Sequence, residues 1–463
     1  MNIIDEAYEE FVRICGQQHV LFYCEDISDY GRDQTLGLVI PFDLLVRPGS
    51  SGEVSNILKV CNEHRIAVTP RGGGSGVSGG TLPLTGGVLL SLERLNNIIC
   101  INEIDGYVIA ESGVVVSDLC DAVEAKGYYY PAAPSSKSFS FIGGNVATNA
   151  GSIHSCLYGK TGNYVINLEV VLPDGEIVWT GANVNKSSSG LNLTQLFVGS
   201  EGLLGVITKV VYRILPKQEE ETMVLAAFQD LNAIIDALLA LKRSGISLSV
   251  GEFICPKAIA MVSEYLAEPL ALARAGACYH LLVGFRSNSF VRDLQLGAIA
   301  NILEAFTDIE LLVSQTWSEK DQLMKLRNNI GRALVSNGGA YRDIDASVPV
   351  SALYSYLLKI ESIADVYHVP FISFGHALDG NLHVMLRKES GKREEMTEKE
   401  AKVLSEIYSF VADCGGVISG EHGIGSLQRE FLKFQYPPKN IKMMKEIKQL
   451  LDPNGILNQG KVL

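Results

Sequence analysis

Apolar residues recur at helical spacing in residues 53–64, where Val54, Ile57, Leu58 and Cys61 fall on one face. Ser50 precedes Glu53 by three positions, the spacing of a reciprocal N-terminal cap. Ile66 to Pro70 then reads as a short strand running into Arg71-Gly72-Gly73-Gly74-Ser75-Gly76. The arrangement repeats downstream. Ser117 to Lys126 predicts a capped helix stopped by Gly127, which leads through Pro131-Ala132-Ala133-Pro134-Ser135-Ser136 to a second glycine-rich run. Leu168–Leu172 and Glu176–Thr180 flank Pro173-Asp174-Gly175, a hairpin pattern, and Leu203 to Leu215 is rich in β-branched residues.

The texture changes after about residue 217. Helical periodicity is expected in Asp230–Ser244, Ser289–Phe306, Ser318–Ser336 and Ser351–His368, and strands in Ile246–Phe253, Tyr279–Phe285 and Ile309–Ser314. Gln218-Glu219-Glu220-Glu221 reads as a linker. Glycine-rich segments return at 374–383 and 414–425, and the tail beyond Asp452-Pro453-Asn454-Gly455 is expected to fold back onto the first domain. A chain of 463 residues exceeds the usual ~100–200 residues of one domain. The pattern therefore predicts residues 1–216 as one α+β domain, 217–412 as a second, and 413–463 as a returning segment.

Composition narrows the function. Against 39 basic residues stand 52 acidic ones, a net charge of −13 that argues against nucleic acid as partner. No run approaches the ~18–20 apolar residues of a membrane span, and residues 1–11 match neither a secretory nor a transit leader. Nine scattered cysteines with apolar neighbours predict reduced, mostly buried thiols and a cytoplasmic setting, with peripheral membrane attachment left open. They include no C-x₂-C-x₂-C run, so an iron–sulfur cluster is excluded and any electrons must leave through another carrier.

Residues 70–80 offer consecutive backbone N–H groups without Cβ obstruction, together with one arginine, as a pyrophosphate requires. A floppy turn is the plain alternative for one such run. Thr81 to Thr85 contains Pro83 and reads as loop, not the helix a dinucleotide fingerprint needs, and no Gly-Lys-Ser/Thr follows as in a P-loop. Ile142-Gly143-Gly144-Asn145-Val146-Ala147-Thr148-Asn149-Ala150-Gly151 and Gly199 to Thr208 make three runs in one region, which disfavours the plain reading.

With Pro131–Ser136, these segments resemble the FAD-binding domain of the vanillyl-alcohol-oxidase (PCMH) type. The later motifs resemble the D-2-hydroxyacid dehydrogenase branch, which includes D-lactate dehydrogenases, the glycolate oxidase FAD subunit and D-2-hydroxyglutarate dehydrogenases. The likeness runs from about residue 38, so the FAD core is expected at 38–216. It implies a two-subdomain α+β FAD domain and an α+β substrate (cap) domain with a mainly antiparallel sheet. It also implies FAD contacts from Arg71, Gly72, Gly73, Gly74, Ser75, Gly76, Gly79, Pro134, Ser135, Ile142, Gly143, Gly144, Asn145, Thr148, Asn149, Gly151, Gly205, Val206, Ile207 and Asn458. Some relatives bind FAD covalently through a histidine in the first loop; Gly74 and Ser75 occupy that region here, so the flavin should be non-covalent.

Three of the eight histidines lie in two short motifs, Phe374-Gly375-His376-Ala377-Leu378-Asp379-Gly380-Asn381-Leu382-His383 and Ser419-Gly420-Glu421-His422-Gly423. Asp379-Gly380 suits a two-residue hairpin turn, and counting outward pairs His376 with His383, near enough to share one ion. Satisfied hairpin histidines and an exposed Glu-His turn are the plain alternative. Two histidines and a glutamate resemble a zinc site with open positions, although nitrogen and oxygen donors alone do not separate Zn²⁺ from Mn²⁺ or Fe²⁺. The family resemblance implies His376, His383 and Glu421 as metal ligands, His422 as base, and Arg327 as the substrate-carboxylate residue; Arg342, beside Tyr341 in a Gly-Gly-Ala-Tyr-Arg-Asp stretch, is a weaker second candidate from the sequence itself. Such a site would oxidise a 2-hydroxy acid, with hydride passing to flavin N5. Relatives acting on 2-hydroxyglutarate carry threonine where Gly331 stands and asparagine where Met385 stands, so a small D-lactate-like substrate is expected. The acceptor would be an electron-transfer flavoprotein or a quinone. An O₂-using oxidase and a non-catalytic flavoprotein subunit are the alternatives, and a homodimer is compatible with the sequence.

Overall fold

The computed structural model describes residues 3–35, 38–267, 278–336, 341–387 and 397–463. They form two compact units: Met1–Ser152, Gly159–Lys217 and Glu421–Leu463 make the first, and Ile153–Tyr158 with Gln218–Gly420 the second.

In the first unit, helices Ile3–Cys15 and Ser51–His64 bury Phe11, Val54, Ile57 and Leu58 in a common core. The Ser50 hydroxyl accepts the Glu53 N–H at 3.1 Å. Glu53 reaches back to the Gly49 N–H at 2.7 Å instead of to Ser50, so the expected reciprocal cap is displaced by one residue. The helix expected from Ser117 is Val116–Glu124; it begins on Val115 without a side-chain cap, and Ser117 lies inside it. A four-stranded sheet runs in the order Val20–Phe22, Leu44–Val46, Val88–Ser91, Val68–Arg71. The tail adds to its edge: Val68 N–H donates to Ile456, and Asn458 N–H to Val68, both at 2.8 Å. A second, antiparallel sheet has the order Ile98–Asn102, Tyr107–Glu111, Val206–Arg213, Val165–Val171, Ile177–Trp179. Its last pair is the hairpin about Pro173-Asp174-Gly175, where Gly175 takes φ +84.

The second unit is built on one antiparallel sheet of seven strands, in the order Leu312–Val313, Glu221–Phe228, Tyr279–Arg286, Leu248–Ile254, Phe371–His376, Asn381–Arg387, Tyr341–Ser347. Strand alternation gives the sheet two chemically different faces. One carries Val224, Ala226, Leu281, Val283, Val384 and Leu386, all buried. The other carries Met223, Leu225, Val250 and Leu282, on which Leu323 packs. The helix expected over Ser318–Ser336 is two, Trp317–Asn328 and Ile330–Ser336. At the break, Asn329 Nδ2 donates to the Lys325 carbonyl at 2.9 Å, capping an end that a longer helix would have continued.

Two further expectations are corrected. The acidic run at 218–221 is not wholly linker, because Glu221 opens a strand and its side chain is only 2% exposed. Around its carboxylate lie Lys320 Nζ (2.8 Å), His154 Nε2 (3.1 Å), Arg286 Nε (3.4 Å) and the Ser249 hydroxyl (2.6 Å). The cysteines are all free, but only Cys15, Cys61 and Cys255 are buried, and Cys24 and Cys100 are exposed. Among the described residues no helix is long and apolar enough to cross a membrane.

Burial pushes the Glu221 carboxyl up, but His154, Arg286 and Lys320 outweigh it and hold the group well below the usual carboxylate range. A depressed carboxyl stabilises the fold above its unfolded pKa and loses that contribution as pH falls. Between pH 5 and pH 2.5 the wild-type chain should lose about 2 kcal/mol more stability than Glu221→Gln. Urea unfolding midpoints followed by circular dichroism at each pH measure this difference; parallel curves for the two proteins would contradict it.

Candidate active site

The hairpin at the centre of the second unit differs from the sequence expectation. Its strands are joined by four residues, Ala377-Leu378-Asp379-Gly380, and the register pairs His376 with Asn381 and Phe374 with His383. Asp379-Gly380 is therefore the second half of a longer turn: the Asp379 N–H donates to His376 O at 3.3 Å, and the Gly380 N–H to Ala377 O at 3.2 Å. A register shift of two keeps every side chain on its face. His376 and His383 thus become diagonal neighbours, with ring centroids 5.7 Å apart and planes at 77°.

Pairing carries the same face outward from the hairpin. His376 lies opposite Glu252, and His383 opposite Asp345. Glu252 is fully buried in a strand whose seven residues are all buried. One of its carboxylate oxygens takes Nδ1 of His376, and the other takes Nε of Arg327. Burial alone would push this carboxyl up; His376 and Arg327 outweigh it and hold it down at about 2. The Arg327 guanidinium also lies 5.0 Å from the centroid of the Phe374 ring. Among the described residues its two terminal nitrogens have no side-chain partner, so a fork suited to a carboxylate is left available.

His383 Nδ1 stands 4.0 Å from Asp345 Oδ1 and 3.9 Å from Asp343 Oδ1. These gaps are too long for hydrogen bonds and a little wider than the ~3.3 Å between two ligands of one tetrahedral cation. Asp345, fully buried, also accepts the Asn381 amide at 2.9 Å and the Ser419 hydroxyl at 3.0 Å, and its carbonyl receives the Gly420 N–H at 2.6 Å. Glu421 follows Gly420 directly in the chain. Arg342 pairs with Leu386, and so belongs to the face opposite His383 and Asp345. The neighbouring residues 338–340 of its motif lie outside the described residues. Met385 shares the face of His383, whereas a Cβ at Gly331 would meet nothing within 4 Å.

In the first unit the glycine-rich loops adjoin one another. A Cβ on Gly72 would lie 3.6 Å from Gly144 Cα, and one on Gly73 would strike the Phe139 carbonyl at 2.1 Å. Ile142–Thr148 is a short helix that ends on Asn149, at φ +51. Gly144 faces open space, and the Asn145 amide nitrogen beside it is buried and has no hydrogen-bond partner among the described residues. Arg71 lies beneath its loop: its guanidinium donates to the Arg32 carbonyl at 2.6 Å and stacks 5.9 Å from the Tyr30 ring. Thr148 bonds back to the Gly144 carbonyl at 3.2 Å, and Asn149 accepts the Gly162 N–H at 2.9 Å. A Cβ on Gly205 would strike a Val170 methyl at 2.5 Å, and Val206 and Ile207 are buried at the start of a strand. Gly79 takes φ +74, and Ser135 is exposed while Pro134 is half-buried. The Asn458 amide donates to Glu201 O at 2.5 Å and to Gly80 O at 3.2 Å.

The Glu421-His422 turn is held from below. The Glu201 carboxylate accepts the N–H groups of Ile424 and Gly425, both at 2.8 Å, and the Ser78 hydroxyl donates to the His422 carbonyl at 3.0 Å. Burial pushes the Glu201 carboxyl up, only partly offset by these N–H groups and Lys461, whose own ammonium burial pulls down to about 7. A Cβ on Gly151 would strike Glu421 Oε2 at 2.5 Å, and His422 Nε2 is 3.5 Å from Glu421 Oε1. Sequence reasoning missed Glu252, Asp345 and Glu201. The one signal for Glu252 was a charged residue within an otherwise apolar strand pattern.

The orphaned Asn145 donor and the open backbone at Gly144 fit a cofactor with a polar, anionic surface. The imidazole and carboxylate donors of the second unit fit a divalent cation of the zinc, manganese or iron class.

Sequence comparison divides the chain near residue 217 as well, but its second part runs on through the segment Glu421–Leu463 of the first unit. Residues 42–181 match the FAD binding domain, and residues 217–462 match the C-terminal domain of FAD linked oxidases. The chain belongs to the FAD-linked oxidase family and is a flavoprotein oxidoreductase. Its relatives include the glycolate oxidase subunit GlcD of Bacillus subtilis, 32% identical over 99% of this chain and 97% of that protein. A D-lactate dehydrogenase of Archaeoglobus fulgidus is 34% identical over 94% and 95% respectively, and a D-2-hydroxyglutarate dehydrogenase of Stutzerimonas stutzeri is 32% identical over 96% of each. In fold the chain is similar to p-cresol methylhydroxylase, with a TM-score of 0.81 at 17% identity over 100% of this chain and 97% of that one. It is likewise similar to 4-ethylphenol oxidase from Gulosibacter chungangensis, with a TM-score of 0.78 at 19% identity over 99% and 97%.

The hairpin turn that sets the histidine register rests on Gly380, at φ +81, where a Cβ would come within 1.9 Å of the Val348 carbonyl. Gly380→Ala should cost about 2–4 kcal/mol of stability, read as a lower urea midpoint of the full chain. A midpoint equal to wild type would show that the turn tolerates another backbone conformation.

Proposed function

We propose that this protein oxidises a small D-2-hydroxy acid, D-lactate or a near homologue, to the 2-oxo acid and passes the electrons to a separate acceptor such as an electron-transfer flavoprotein or a quinone. One observation carries the reading: Arg327, with both terminal nitrogens available, reaches from its helix to Glu252 on the sheet face that also carries His376, His383 and Asp345. The relatives named for glycolate, D-lactate and D-2-hydroxyglutarate have the 2-hydroxy acid unit in common, which supports the same unit here.

FAD held along Gly72–Gly76 and Ile142–Gly151 would supply the two-electron acceptor, and a divalent cation held by His376, His383 and Glu421 would supply a Lewis acid for the substrate hydroxyl. The side chains do the rest. Arg327 receives the substrate carboxylate on its terminal amino groups and fixes which way the α-carbon points. His422 accepts the hydroxyl proton on its imidazole. Glu201 and Ser78 keep the backbone of that histidine in place through Ile424, Gly425 and the His422 carbonyl. Met385 contributes an apolar surface, and Gly331 no side chain, so a second buried carboxylate would lack partners there. This favours D-lactate over D-2-hydroxyglutarate.

Mixing the FAD-loaded chain with D-lactate in the absence of oxygen should bleach the visible flavin band, whereas L-lactate should not. Chelation with EDTA should slow the bleaching. His422→Ala should slow it about 10²–10⁴-fold with flavin still bound. Arg327→Lys should raise KM for D-lactate at least about tenfold. Bleaching by the L-enantiomer alone, or undiminished bleaching in His422→Ala, would refute the assignment.

A further inference from the structure

We propose that Glu252 is a positioning residue for this oxidation, its one carboxylate setting both the proton position on His376 and the aim of Arg327. The inference rests on the reading above and adds to it the group that orients its two key side chains.

Glu252 lies in the strand Leu248–Ile254, between Gly251 and Phe253, with no exposed surface. A strand so enclosed would ordinarily carry an aliphatic side chain at this position, and a buried carboxylate persists only where each oxygen is compensated. Here the two oxygens serve different partners, Nδ1 of His376 and Nε of Arg327. The consequence for each partner follows from its chemistry. An imidazole that donates its Nδ1 proton to a carboxylate keeps its lone pair on Nε2, which is the state a metal ligand needs. A guanidinium bound through Nε turns its opposite edge, with both terminal amino groups, toward a ligand. The Phe374 ring, 5.0 Å from the guanidinium, limits its swing. His376 and Arg327 come from segments 49 positions apart, one on a strand and one on a helix. The Glu252 carboxylate is the atom pair through which they are held in mutual register.

A carboxamide cannot replace this group. In Glu252→Gln the amide oxygen could accept from one partner, but the NH₂ would confront the other donor. The test uses full-length, FAD-loaded protein stripped of metal with a chelator. Zn²⁺ is then titrated against a chromogenic competitor, and KM for D-lactate is measured after reloading. Glu252→Gln should bind Zn²⁺ about 10–100-fold more weakly and raise KM by a similar factor, with its flavin spectrum unchanged. Glu252→Asp keeps the charge on a shorter arm and should recover part of both losses. Should Glu252→Gln fail to fold, Glu252→Asp decides alone: a loss above about fivefold in both readouts supports the proposal, and values within about twofold of wild type overturn it. Zn²⁺ affinity and KM both within about twofold of wild type in Glu252→Gln would equally overturn it while leaving the parent reading intact. Wild-type protein that takes up no Zn²⁺ would instead remove the parent reading, and this proposal with it.

Discussion

The alternation of side chains across a β-strand is the constraint on which the candidate site depends. In the seven-stranded sheet it sends Leu382, Val384 and Leu386 to one side and Asn381, His383 and Met385 to the other. Because neighbouring strands share the alternation in register, Glu252, Phe374, His376 and Asp345 join His383 without any long loop having to bring them there. Groups mounted on paired strands have little freedom to drift, and ligand and substrate geometry demands tolerances that loops seldom hold. A slip of one residue would place every polar group of this face in the apolar layer beneath, so burial of the aliphatic face protects the site's geometry.

The second organising feature is a set of buried carboxylates, each solved differently. Glu221 is surrounded by a lysine, an arginine and a histidine, Glu252 is divided between an imidazole and a guanidinium, and Glu201 is met mainly by backbone N–H groups. The electrostatic outcomes diverge accordingly. Basic side chains overcome desolvation at Glu221 and Glu252 and hold those groups down, whereas peptide dipoles do not at Glu201, whose carboxyl stays raised. The first two are therefore firm anions that pin imidazole, ammonium and guanidinium side chains. The third binds chain: it holds the turn that carries His422 by the N–H groups of Ile424 and Gly425.

Much of this fold was legible in the residues because local rules decide it. The helix after Ser50, the hairpin about Asp174-Gly175 and the helix after Asp230 all follow from caps and turn residues close in the chain. The glycine runs likewise announced close backbone approach, which Gly72 and Gly144 display. What local rules do not contain is choice among nearly equivalent partners. Glu53 could cap Ser50 or Gly49, and takes Gly49. Asp379-Gly380 could form a two-residue turn or close a four-residue one, and the longer turn prevails with Gly380 lodged against Val348. Glu252 was the least legible of all, since its partners lie 75 and 124 positions away and nothing near it in the chain calls for a charge.

The passage from Gly420 to Glu421 shows why the histidine motif needs so many glycines. The chain leaves the second unit there, anchored inside it by the Gly420 N–H and the Ser419 hydroxyl on Asp345. Within five residues it is anchored again inside the first unit, by Glu201 on Ile424 and Gly425. Gly423, at φ +80, and Gly425, at φ +52, take backbone conformations that a side chain would strain, and a Cβ on Gly425 would strike the Ser78 carbonyl at 2.1 Å. A Cβ on Gly420 would strike the Asn381 amide at 2.3 Å. Glycine is thus required on both sides of Glu421 and His422 so that the two anchors can stand this close together in sequence. The carboxylate and imidazole between them are consequently the only long side chains in the segment Gly420 to Gly423, set on a backbone that is fixed at each end.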